Sequence, residues 1–178
     1  MVKVWYINDE SVDRSPPKFI SVDELFRKTG VEYFKLNIDA YKTDGVLDKI
    51  KEERGYSYED ELVFSKDSLA DYEEKIKSFK TEHLHSDEEI RLILDGLGYF
   101  DVRDGSDQWI RIEVSAGDMI ILPGGIYHRF TLGPDNYVKM RRFFSAEPVW
   151  LAYNRPSDEL DCRKQYVDRL RQGFVAAN

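Results

Sequence analysis

Residues 83–96 read HLHSDEEIRLILDG, and residues 117–128 read GDMIILPGGIYH. Together they contain every histidine of the chain: His83, His85 and His128. Side chains alternate between the two faces of an extended strand, so His83 and His85 present both imidazoles on one side. Glu89 and Arg91 share that parity, provided Ser86-Asp87 does not shift the register. Glu88 has the opposite parity, which makes Glu89 the better ligand candidate of the two. His128 belongs to a separate strand, entered through the tight turn Pro123-Gly124-Gly125. Neutral imidazole suits Fe, Ni, Cu and Zn, and one carboxylate adds hardness and negative charge. Three His and one Glu in an octahedral shell leave two positions open, and adjacent ones would suit a bidentate substrate. Taken singly, His-Leu-His also fits surface histidines on a strand, and Asp87-Glu88-Glu89 a solvated acidic turn. The combination is what points to a metal.

Outward from these stretches the texture changes near residue 80. Beyond it the apolar period is short and turn residues recur roughly every 8 to 12 positions. Strands are expected at 83–94, 98–102, 109–114, 119–122, 127–131 and 138–144, punctuated by Asp95-Gly96, Asp104-Gly105, Gly117-Asp118, Gly124-Gly125 and Gly133-Pro134. Before residue 80 helical signals dominate. Ser21 with Glu24 makes a capping box for a helix over 21–28, with Gly30 as its stop. Val46, Leu47 and Ile50 suggest a second helix ending at Gly55, and Tyr72, Ile76 and Phe79 a third over 69–79. A short strand is expected over 33–36. After Pro156, Ser157 is placed to cap a final helix running to about Leu170. The expected architecture is a single domain over 1–178: a mostly helical region over 1–80, a β-barrel core with the metal site over 81–150, and a C-terminal extension with a helix over 151–178. Cutting the chain after Trp150 is expected to reduce stability and leave the metal site unchanged.

Composition narrows the function classes. The 178 residues carry 26 Lys plus Arg against 34 Asp plus Glu, a net charge of -8 that would repel a phosphate backbone, so nucleic acid is not an expected partner. The longest apolar runs, such as 119–122, are strand-sized and fall far short of the roughly 18 residues of a membrane span. No secretory signal is visible in the opening Met-Val-Lys-Val-Trp-Tyr. Cys162, the single cysteine, rules out an internal disulfide and a cysteine-rich zinc site, and suits a reducing compartment. A cytosolic enzyme or binding module remains.

Two arginines fall on apolar faces. Arg91 lies two residues beyond Glu89, and Arg142 shares its face with Val138, Met140 and Phe144. A buried arginine stripped of its partner is destabilising by roughly 3–5 kcal/mol. Arg91 and Arg142 therefore either pair with internal carboxylates or await an anionic ligand. Lys139 and Arg141, of opposite parity, are expected in solvent.

The spacing also resembles a known superfamily. His83-x-His85-x3-Glu89-x6-Gly96 matches the first cupin motif, and Gly117-x5-Pro123-x-Gly125-x2-His128 the second. The first motif's leading glycine falls at Lys77 and the second's trailing asparagine at Leu132; these positions shape turns and do not ligate. More narrowly the chain is similar to the acireductone dioxygenase family, through 82–85 with 88–91 (EHLH, EEIR), 98–104 (GYFDVRD), 108–112 (QWIRI), 126–130 (IYHRF) and 147–156 (EPVWLAYNRP).

That resemblance implies a cupin double-stranded β-helix, a jelly-roll barrel, preceded by helices and followed by one. It assigns His83, His85, Glu89 and His128 to one metal ion per chain, Fe2+ or Ni2+. It places Arg91 at the ionised enediol oxygens of the substrate, Arg142 at the substrate anion, and Phe79 and Phe130 either as apolar walls around the methylthio tail or stacked near the reacting carbons. Read from the sequence alone, both phenylalanines also fit ordinary core packing. Glu82 is considered both as an acceptor orienting a ligand histidine and as an exposed carboxylate. Trp109, Tyr99, Trp150 and Tyr153 are read as packing, and Cys162 as an inert thiol. With Fe2+ the family cleaves 1,2-dihydroxy-5-(methylthio)pent-1-en-3-one with O2 to 4-methylthio-2-oxobutanoate and formate, a step of methionine salvage. With Ni2+ it yields 3-(methylthio)propanoate, formate and CO. A monomer is expected, in the cytoplasm and also the nucleus. The rival readings are another cupin enzyme with the same ligands and a non-enzymatic metal-binding cupin. Removing a ligand, as in His83→Ala, separates enzyme from storage module.

Overall fold

The computed structural model describes residues 1–8 and 16–176. In chain order its elements are β1 (Lys3–Ile7), α1 (Val22–Thr29), β2 (Glu32–Lys35), α2 (Val46–Arg54), β3 (Tyr58–Phe64), α3 (Tyr72–Lys80), β4 (His83–Leu84), β5 (Glu89–Arg103), β6 (Trp109–Ser115), β7 (Asp118–Leu122), β8 (His128–Leu132), β9 (Val138–Phe144), β10 (Tyr153–Asn154) and α4 (Asp161–Gln172).

Strand β5 organises the barrel because it belongs to both sheets. Up to Gly96 it pairs with β7 and β9, and from Leu97 onward with β6 and β8. One antiparallel sheet therefore runs β2-β7-β5-β9-β3 and the other β1-β6-β5-β8-β4-β10. The transfer occurs at a register shift between Ile93 and Asp95, followed by Gly96 at φ 84°. A Cβ on Gly96 would lie 2.4 Å from the Tyr137 carbonyl oxygen, so the kink demands glycine. The turn expected at Asp95-Gly96 is thus a bulge within one continuous strand, which bends the chain without reversing it.

The region before residue 80 carries more strand than expected. It holds the three expected helices and, as β2 paired with β7, the short strand expected over 33–36; the unexpected strands are β1, paired with β6, and β3, paired with β9. Strand β3, Tyr-Glu-Asp-Glu-Leu-Val-Phe, is too acidic to signal a strand by itself. Its ladder with β9 and the packing of Leu62 and Phe64 on the core hold it in place. The basic residues of β9 match its acids: Arg141 bridges Glu59 and Glu61 at 3.2 Å each, and Lys139 reaches Glu61 at 3.3 Å. Lys139 and Arg141 are therefore cross-strand partners rather than free in solvent.

Helix ends follow local chemistry with two corrections. Ser21 Oγ accepts from the Glu24 backbone N–H at 3.1 Å, and Gly30 closes α1 at φ 76° with the Phe174 ring packed where its Cβ would be. Helix α3 starts at Tyr72 instead of Leu69 because Asp71 is left-handed at φ 55°. Helix α4 starts at Asp161, since the Ser157 hydroxyl donates to the Asn154 carbonyl at 2.7 Å and caps nothing.

The main core fills the barrel with Ile93, Phe100, Val102, Ile112, Ile120, Leu122 and Met140, and extends beneath α1 and α4. A second cluster lies outside, where Leu47 and Ile50 of α2 cover Ile90, Leu92, Met119, Ile121 and Phe143. Each such aliphatic side chain contributes roughly 1.5–3 kcal/mol by leaving water. Since Ile90 and Leu92 point outward beneath α2, Glu89 and Arg91 point into the barrel. No helix among the described residues is long and apolar enough to cross a membrane.

Candidate metal centre

Pairing of β4 with β8 sets His83 directly opposite His128, their ring centroids 4.5 Å apart. His85, just past the end of β4, lies 5.0 Å from His83 and 5.2 Å from His128. One ring nitrogen from each histidine falls within 4.8 Å of the others. The backbone does leave its strand between β4 and β5, yet Glu89 arrives on the same side. Its Oε2 sits 2.8 Å from His128 Nε2 and 3.3 Å from His85 Nε2.

The opposite ring nitrogens fix the tautomers. His83 Nδ1 faces the Thr81 carbonyl at 2.6 Å, His85 Nδ1 that of Leu151 at 3.2 Å, and His128 Nδ1 that of Ile126 at 2.9 Å. A carbonyl oxygen only accepts, so each Nδ1 carries a proton, and in its neutral form each ring has its lone pair on Nε2. His128 Nε2 and a Glu89 oxygen face each other at 2.8 Å, a contact that a second ring proton makes as a hydrogen bond and that a metal ion ligated by both groups would replace. Burial, followed by the charge of His128, pushes the His83 pKa down to about 4, so this ring is neutral at pH 7. For His85 burial acts to lower the pKa, but the hydrogen bond and charge of Glu89 outweigh it and leave it raised. Burial likewise opposes ionisation of Glu89, yet Arg91 and then His128 hold its carboxyl well below the usual range. Three imidazole lone pairs and one ionised carboxylate fit a divalent transition-metal ion.

The cluster opens into a cavity of about 1090 Å³ whose wall also includes Arg91, Arg142, Phe79 and Phe130. Arg91 and Arg142 are cross-strand neighbours on β5 and β9. Both pair with carboxylates: Arg91 Nη2 lies 3.4 Å from Glu89 Oε1, and Arg142 donates through Nε and Nη2 to Asp60 at 2.7 and 2.6 Å. That contact lowers the Asp60 pKa below the ordinary carboxylate value.

The sequence profile of the ARD/ARD' family matches residues 4–152. The chain belongs to this family. It is 54% identical over 185 residues to acireductone dioxygenase of Drosophila pseudoobscura pseudoobscura, covering 100% of this chain and 99% of the relative. It is 52% identical over 178 residues to the human acireductone dioxygenase, covering 97% and 99%. Among solved structures, acireductone dioxygenase from Bacillus anthracis with a cadmium ion in its active centre shares the fold. There the TM-score is 0.71, at 23% identity over 85% of this chain and 97% of the other.

The remaining expected residues of this ARD-family chain are placed as follows. Phe130 meets Phe100 tilted at 4.8 Å, and Phe79 meets Phe64 edge-on at 5.0 Å, so both line the cavity while packing with the core. Glu82 orients no histidine: it is bound by Arg103 at 3.0 and 3.1 Å and by Arg155 at 2.8 Å, and backbone carbonyls serve the imidazoles. Trp109 is buried between the guanidinium groups of Arg103 and Arg129, 3.8 and 4.3 Å from its ring. Trp150 covers Arg142 at 4.2 Å. Cys162 borders the same cavity from α4. Asp60 and the Leu151 carbonyl were not anticipated. An aspartate within the acidic run 59–61 has no distinguishing spacing, and a backbone oxygen has no residue signature.

Proposed function

We propose that this chain is an acireductone dioxygenase, its metal held by His83, His85, Glu89 and His128. The observation that carries the reading is the four-donor cluster opening beside paired arginines on one cavity wall. The substrate is 1,2-dihydroxy-5-(methylthio)pent-1-en-3-one in its ionised enediol form, with O2 as co-substrate. Arg91 places positive charge where the enediolate oxygens sit, and a charge held there in advance needs no reorganisation during the reaction. Arg142 holds the anion from the adjacent strand. Phe79 and Phe130 keep the methylthio end dry, and water exclusion strengthens both arginine contacts.

When bound, Fe2+ or Ni2+ supplies Lewis acidity and open coordination positions for an electron-rich chelating substrate. Loaded with Fe2+, the enzyme yields 4-methylthio-2-oxobutanoate and formate for methionine salvage; loaded with Ni2+, it yields 3-(methylthio)propanoate, formate and CO. The ligand set accepts either ion. Affinity order favours Ni2+, so metal supply decides which product forms. We place the protein, as a monomer, in the cytoplasm and the nucleus.

The test is anaerobic reconstitution with Fe2+ and separately with Ni2+, then addition of acireductone and O2 with product analysis. Keto acid and formate with iron, and CO with nickel, support the reading. One bound equivalent of metal with no acireductone consumed would reject it in favour of another cupin activity.

A further inference from the structure

A single cross-strand row links three neighbouring strands: Asp60 on β3 lies opposite Arg142 on β9, and Arg142 opposite Arg91 on β5. Like charges directly opposite each other repel, so this row needs anions to hold its two guanidinium groups together. The two carboxylates that answer them are not equivalent. Glu89 meets Arg91 with one oxygen and His128 with the other, so a metal ion at the cluster shares its charge. Asp60 contacts no histidine among the described residues and stays committed to Arg142.

The grip of Asp60 is directional. It engages Nε and Nη2 of Arg142 at 2.7 and 2.6 Å, while the Trp150 ring covers the guanidinium face at 4.2 Å. Edge and face are both held, and Nη1 makes no hydrogen bond among the described residues. A long, flexible arginine is thereby fixed with one N–H edge unclaimed beside a cavity that Arg142 lines. The pair is poorly placed to serve stability alone. Asp60 is 34% exposed, and ion pairs open to water contribute little to folding.

We infer that Asp60 is a positioning residue of the substrate site, aiming Arg142 so that its remaining N–H edge meets the substrate anion; this rests on the acireductone reading. Asp60 itself touches no reacting atom. It acts through Arg142, and the two should be energetically coupled in turnover.

The test uses the full metal-loaded chain. Asp60→Asn should keep one equivalent of bound metal and its melting temperature, while kcat/KM falls on the order of tenfold to a hundredfold, mostly through KM. Asp60→Glu, which keeps the charge but moves the carboxylate by one methylene, should give an intermediate KM. In an Arg142→Met background, Asp60→Asn should add no further loss. Wild-type KM and kcat in Asp60→Asn would overturn the inference, as would an undiminished loss in the Arg142→Met background. If Asp60→Asn does not fold, Asp60→Glu decides: a raised KM supports the inference, and a wild-type KM overturns it. If the wild-type enzyme consumes no acireductone, the functional reading falls and takes this inference with it. Normal wild-type turnover with an unaffected variant removes this inference alone.

Discussion

His83 and Arg91 show how differently two residues of one site are expected to fail. His83 is buried, its Nδ1–H donates to the Thr81 carbonyl, and its neutral Nε2 has only the centre of the cluster to serve. His83→Ala should retain the β-rich circular dichroism spectrum of the wild type and lose stoichiometric metal together with turnover. Activity persisting without that ligand would remove His83 from the metal set. Arg91 touches Glu89 without belonging to the donor cluster. Arg91→Ala should therefore keep its metal, measured by elemental analysis, and lose about 10²–10³ in kcat, the usual effect of deleting one preorganised charge-stabilising donor. Full activity in that variant would refute the oxyanion role.

Between residues and molecule, the turn joining β7 to β8 controls where His128 points. Gly125 sits at φ 83°, donates its N–H to the His85 carbonyl at 2.8 Å and accepts from Arg163 Nη1 at 3.1 Å. A Cβ there would lie 2.3 Å from the Cys162 carbonyl oxygen. Gly125→Ala combines left-handed strain with displacement of α4 and should lower unfolding stability by about 2–4 kcal/mol in urea titration. Gly45→Ala is the control: at φ 79° its Cβ meets nothing within 4 Å, and the strain alone costs about 1 kcal/mol. Equal losses in the two variants would mean that the contact with α4 contributes nothing.

Across the whole molecule, the segment after Trp150 is part of the site. Strand β10 pairs with β4, setting Asn154 opposite His83, and the Leu151 carbonyl accepts from His85. Helix α4 anchors this return through Tyr166, whose hydroxyl donates to the Thr29 carbonyl at 2.8 Å. The expectation that truncation after Trp150 leaves the metal site unchanged is therefore corrected, because the cut removes both supports. In the full chain, metal at a hundred times its Kd should stabilise the fold by about 2.7 kcal/mol, or roughly 5–10 °C in Tm for a chain of this size. The truncated chain should melt lower and lose most of that metal-dependent shift. An equal shift in both chains would show that residues beyond Trp150 do not support the site.

What the sequence determined by itself was whatever depends on neighbours along the chain. Alternation puts His83 with His85 and Glu89 with Arg91, and Pro123-Gly124-Gly125 announces the turn before His128. The Ser21 cap and the glycine stops at Gly30 and Gly55 obey equally local chemistry. The tertiary structure alone decided whatever joins distant segments. Strand β3 exists because it pairs along its whole length with a strand some 80 residues later, and Asp60 finds Arg142 at a separation of 82. Residues 95–96 look the same in sequence whether they reverse the chain or bend it between sheets; closure of the barrel makes them a bulge. The carbonyls that fix the three histidine tautomers are common to every residue type, so only the folded backbone selects which of them face the site.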